Sequence, residues 1–158
     1  MHNPIMEKVR ISDVRVIRFM PGDDLFEMLH KRIYELGWFR AIILSCVGSL
    51  KGASFRNPKS EADLPIIPAE KTSQSDENMP CEILSIQGNV FPKDGEIIIH
   101  LHGIIGQPDG STRGGHMLKA TVFTTCEMVI AKIDGSKAAR KKSDITGLDE
   151  LHTPEGAL

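Results

Sequence analysis

From Cys81 onward the chain is a succession of apolar runs broken by Gly, Pro and Asp turn signals, and this constrains the fold more than any other feature. Runs at 81–91, 96–104, 115–123 and 125–133 read as strands joined by short links. Short links suit antiparallel neighbours, because parallel strands need crossovers of about a dozen residues or more. Two strands come earlier. Val14 to Met20 is rich in β-branched residues, and Ala41 to Leu50 is an apolar run that reads as a central strand buried on both faces. Gly48-Ser49-Leu50 and Gly52-Ala53 then bend the chain into a shorter strand ending near Arg56. Between the first two strands lies one helix. Asp24 with Glu27 makes an acidic capping pattern; Leu25, Met28, Leu29, Ile33 and Leu36 recur at helical spacing, and Gly37 stops the element. The count predicts an α+β domain, a mainly antiparallel sheet of six or seven strands packed with one long helix.

The remainder divides simply. Residues 1–9 are a lead-in, 10–134 the domain and 135–158 a tail. Residues 57–80 are rich in Pro, Ser, Glu, Asp and Lys and read as a long surface loop. The tail carries Lys137, Arg140, Lys141 and Lys142, which suits a short basic helix over 136–142 or a solvated charge run. A chain of 158 residues is one domain on length alone. With 41% hydrophobic and 25% charged residues it is neither a disordered chain nor a rod. Nineteen Lys and Arg stand against 21 Asp and Glu, so the basic surplus of a dedicated nucleic-acid binder is missing. No apolar run is long enough to span a membrane, and residues 1–8 lack an apolar signal core, so a cytoplasmic protein is expected. Cys46, Cys81 and Cys126 are odd in number, far apart and set in apolar runs, which reads as reduced thiols packed in a core.

Chemistry concentrates in three histidines. His2 and His152 lie in the termini and His30 in the helix, whereas His100-Leu101-His102 and Gly114-Gly115-His116 flank a turn-rich connection. Strand alternation puts His100 and His102 on one face. A hairpin with its midpoint near Asp109 sets His102 opposite His116 and His100 opposite Leu118, so three imidazoles converge. Three neutral imidazoles with one further position form a known zinc arrangement. A one-residue slip of register turns His116 to the far face and leaves histidines that only bond across a polar sheet surface. A cupin also begins with His-x-His, but it expects an acidic ligand a few residues on, where this chain has Ile104, Ile105 and Gly106. Arg113 beside the cluster suits an anion or a solvated loop. Glu82 and Glu127, within apolar runs, suit a fourth ligand, a general base or a partner-satisfied strand position.

These motifs occur in a telling order. Pro21-Gly22-Asp23-Asp24-Leu25 is followed by Gly48-Ser49-Leu50 with Ala53 and Arg56, then by Glu82-Ile83-Leu84-Ser85 with Gly88. After these come His100-Leu101-His102, Gly110 with Gly114-Gly115-His116, and Thr124-Thr125-Cys126-Glu127. The order resembles the plant and prokaryote conserved domain, over roughly residues 10–133. The resemblance implies a homotrimer of compact α+β domains, with a divalent metal, Zn²⁺ by default, at His100, His102 and His116. It also implies a regulatory or interaction role associated with transcription. The Arg-Gly-Arg-Pro core of the plant DNA-binding motif is absent, so minor-groove DNA binding does not carry over, and the partner implied is a protein before DNA. Met79-Pro80-Cys81 also replaces the family's usual Gly-Pro before Glu82. The competing reading is a metal-dependent enzyme acting on a small anionic substrate, with Arg113 orienting the anion and Glu82 or Glu127 moving protons.

Overall fold

A computed structural model describes residues 6–154. His2, the first residues of the lead-in and the last residues of the tail lie outside them. Strand β1 (Arg10–Phe19) leads to helix α1 (Leu25–Glu35), and β2 runs from Ala41 to Pro58. A single helical turn, α2 (Pro68–Lys71), precedes β3 (Thr72–Glu77). Strands β4 (Cys81–Lys93), β5 (Glu96–Gly106) and β6 (Thr112–Asp134) follow, then a small hairpin of β7 (Ala139–Lys142) and β8 (Asp149–His152).

Six strands form the main sheet in the order β1-β6-β5-β4-β2-β3, and every registered pairing is antiparallel. β2 also bonds directly to β6, so β6, β5, β4 and β2 close into a ring. Two long strands make this possible. β2 and β6 are 18 and 23 residues long, and bulges bend them so that each serves more than one neighbour. The separate runs expected at 115–123 and 125–133 are therefore one strand, as are the run from Ala41 and its sequel ending near Arg56.

Helix α1 packs on the ring through Leu25, Leu29 and Ile33, all fully buried with Leu50, Phe55, Leu101 and Met128. Its start is fixed by Asp24, whose carboxylate accepts from the N–H groups of Phe26 and Glu27 at 2.9 and 3.0 Å. Gly37, at φ +66°, supplies the left-handed turn that ends it. At 11 residues the helix is of average length rather than long.

Two polar segments depart from expectation. The span 57–80 holds β3, which adds to β2 in register from Ala53–Glu77 to Pro58–Thr72. Sequence TSQSDE shows no apolar alternation, because an edge strand open to solvent needs none. The tail folds into the β7–β8 hairpin instead of a basic helix, and Arg140 within it is buried. No helix among the described residues is long and apolar enough to cross a membrane.

Candidate metal centre

Along β5, Ile97, Leu101 and Ile105 are buried in the core, while His100 and His102 take the other face. Across the β5–β6 hairpin His102 lies directly opposite His116. The register about Asp109 thus holds, although the pairing ends there and does not extend to His100. The three rings meet with centroids 4.9, 5.0 and 5.4 Å apart. One ligand nitrogen from each lies within 4.8 Å of the others, and the Nε2 atoms of His100 and His102 are 3.1 Å apart. Zinc–nitrogen bonds of about 2.0–2.1 Å at tetrahedral angles require about 3.3–3.4 Å between nitrogens. The donor set and its spacing fit such an ion.

Gly115 lets the strands close here. At φ +149° it adopts a conformation that L side chains avoid, and the Asn57 side-chain amide occupies the space a Cβ would take. Asn57 also donates from Nδ2 to the Gly114 carbonyl at 2.9 Å, tying β2 over the double glycine. The next residue back on β2, Arg56, is opposite His116. On the other side β4 brings Gln87 opposite His102 and Asn89 opposite His100.

The cluster's most consequential neighbour comes from the tail. Arg140 is only 8% exposed. Its Nη2 donates to Asn89 Oδ1 at 2.7 Å and lies 3.0 Å from His100 Nδ1, and its Nη1 donates to the Asp149 carbonyl at 3.1 Å. A guanidinium has donors only, so Nδ1 of His100 accepts and the proton of the neutral ring sits on Nε2. Burial, then the charge of Arg140, then His116 and His102 push the His100 pKa down to about 4. His116 is lowered too, by burial first and then by His102, Arg56 and Arg140. Sequence reasoning missed Arg140, because Arg140-Lys141-Lys142 in a polar tail carries the signature of a solvated run. The flanking apolar Ala138 and Ala139 are the only hint.

Three other candidates lie elsewhere. Arg113 pairs with Ile105, so alternation turns it off the histidine face, and its Nε is 3.9 Å from Glu77 Oε1. Glu82 sits at the start of β4 between Ser49 and Gly106. Glu127 lies far along β6 between Val47 and Arg18. Both acids have exposed side chains. Cys46, Cys81 and Cys126 are buried free thiols, with the Sγ atoms of Cys46 and Cys126 3.4 Å apart.

A closed antiparallel α+β domain carrying three converging imidazoles on its outer face is the class of protein described so far. Residues 6–134 match the Plants and Prokaryotes Conserved (PCC) domain, and the chain belongs to that family. The metal-containing protein of Archaeoglobus fulgidus shares the fold at a TM-score of 0.82 and 27% identity, over 94% of this chain and 99% of that one. A protein of Ralstonia eutropha, provisionally named DNA-binding, matches at a TM-score of 0.74 and 18% identity, over 88% and 90% of the two chains. Among curated proteins, the bifunctional protein GlmU of a Synechococcus strain is 31% identical over 137 residues, which is 86% of this chain and 19% of that protein. The chain thus spans about a fifth of the length of the curated relatives it matches.

Proposed function

We propose that this chain is a homotrimeric module that holds a divalent cation, Zn²⁺ by its donor set, through His100, His102 and His116, and that its role is regulatory or interactive. The observation that carries the reading is the convergence of three imidazole nitrogens within 4.8 Å of one another. Imidazole suits zinc and its transition-metal neighbours, whereas calcium and magnesium take oxygen ligands. The metal-containing protein of Archaeoglobus fulgidus supports the same reading through its shared fold. Exposed Leu44, Val47, Leu84 and Ile104, with 48–55% of their surface open, give the sheet an apolar outer face suited to burial between copies.

Three protein nitrogens leave a tetrahedral ion one further position, and this favours metal-dependent catalysis as the second reading. Elemental analysis of purified protein tests the metal. Wild-type protein grown with metal supplement is expected to carry about one ion per chain, and His102→Ala and His116→Ala to lose it. Equal metal content in all three, or none in the parent, overturns the reading.

A further inference from the structure

We propose that the metal centre takes an anionic oxygen ligand, a carboxylate or phosphate group, that completes the ion's coordination and is held by Arg56, with Arg140 adding positive charge behind the cluster. This rests on the metal reading above and names the class of ligand.

The charge balance of the site carries the argument. Three neutral imidazoles leave the two charges of a divalent ion uncompensated. Ligating histidines usually direct their second nitrogen at a carboxylate, a carbonyl or water. Here a guanidinium stands against His100. It is buried, and its own partners are the neutral Asn89 amide, the Asp149 carbonyl and His100, while its Nε has none. The Asp149 carboxylate is engaged by Lys93 at 2.7 Å. It also acts on Arg140 through its charge but is shared with Lys93, so the buried guanidinium is only partly compensated, and an anion arriving with the metal would offset both excesses.

Arg56 is placed to hold that anion. It is directly opposite His116, and such antiparallel neighbours have Cβ atoms about 4.5–5.5 Å apart, which brings its charge close enough to act on the His116 ring. Among the described residues it makes no side-chain hydrogen bond or ion pair. The guanidinium fork matches the two oxygens of a carboxylate or phosphate. Among the described residues no acidic side chain hydrogen-bonds to or pairs with His100, His102 or His116.

Co²⁺, which takes the same tetrahedral imidazole site and reports its fourth ligand in its visible absorption, makes the test direct. Wild type, Arg56→Ala and Arg56→Lys are titrated with Co²⁺ in buffer free of oxyanions, then with inorganic phosphate or with acetate. Phosphate or acetate is expected to alter the wild-type spectrum and to tighten Co²⁺ about tenfold, the scale of one charge-assisted hydrogen bond. The stronger of the two identifies the anion. Arg56→Ala should bind Co²⁺ alone at least as well as wild type yet lose the tightening, and Arg56→Lys should keep part of it. Co²⁺ binding that neither anion changes overturns the inference and leaves the metal reading standing. Equal tightening in Arg56→Ala overturns the role of Arg56. Absence of Co²⁺ binding under every condition removes both.

Discussion

The Nη2 of Arg140 lies 3.0 Å from Nδ1 of His100, on the opposite edge of the ring from the nitrogen that approaches His102. That contact sets the proton on Nε2, where an ion would bind. On the proposed metal reading, an ion at Nε2 would leave the ring proton on Nδ1, which would then no longer accept from Arg140 and would need an acceptor of its own. Asn89, opposite His100 in the sheet and bonded to Arg140 through Oδ1, is the acceptor at hand. Arg140→Ala is accordingly expected to bind Zn²⁺ more tightly in buffer free of oxyanions, about fivefold or ~1 kcal/mol for removal of one nearby cation. Competition against a chromophoric chelator measures it. Weaker binding in the variant shows that Arg140 supports the loaded ring.

Acid should unsettle the metal-free protein through the same ring. An imidazole in the unfolded chain takes a proton near pH 6.5, whereas folded His100 takes one only at about 4. Between these values the unfolded state binds more protons, so stability falls as the pH is lowered through that window. His116 acts in the same direction. Thermal unfolding in the presence of chelator should show Tm falling from pH 6.5 to pH 4, less steeply in His100→Asn than in wild type. Parallel slopes would show that His100 is not the cause.

Gly115→Ala should separate the hairpin from β2. The new methyl group meets the Asn57 amide at a φ of +149°. We expect a loss of about 1–3 kcal/mol in urea unfolding, the usual cost of a residue forced into sparse backbone space. Metal affinity should fall with it, because Gly115 immediately precedes His116. A variant as stable as wild type would mean that Asn57 moves aside at little cost.

The candidate site was largely legible and the frame around it only in part. His102 and His116 could be paired because the turn residues from Gly106 to Arg113 fix a midpoint, and a midpoint fixes a register. Asp24, Glu27 and Gly37 marked α1 because caps are local chemistry. β3 and the β7–β8 hairpin left no such trace. Thr72–Glu77 and Arg140–Lys142 are polar throughout, and what orders them, pairing with β2 and β8 and the contact of Arg140 with Asn89 and His100, leaves no periodic trace in either segment. Arg113 misled for the complementary reason. It is near His116 in sequence, but it is three residues away, and an odd step along a strand turns a side chain to the other face.

Assembly can be tested on the apolar outer face. Val47→Asp combined with Ile104→Asp places two charges on a surface that the trimer would bury. Light scattering should report three chains for wild type and one for the double variant, with unchanged circular dichroism. A monomeric wild type at micromolar concentration removes the trimer.

His102 and His116 belong to β5 and β6, two neighbouring members of a circuit in which each strand is bonded to the next. Such a hoop cannot be pried open at one joint without straining the others, so the backbone positions that carry the two rings are set. On the proposed reading, an ion whose bonds to nitrogen match zinc's would need only the side chains to adjust. Magnesium, which wants six oxygens and keeps its waters, would find the wrong donors and a frame that does not widen. Discrimination among metals would in this way be delegated to the stiffness of the closed ring of strands.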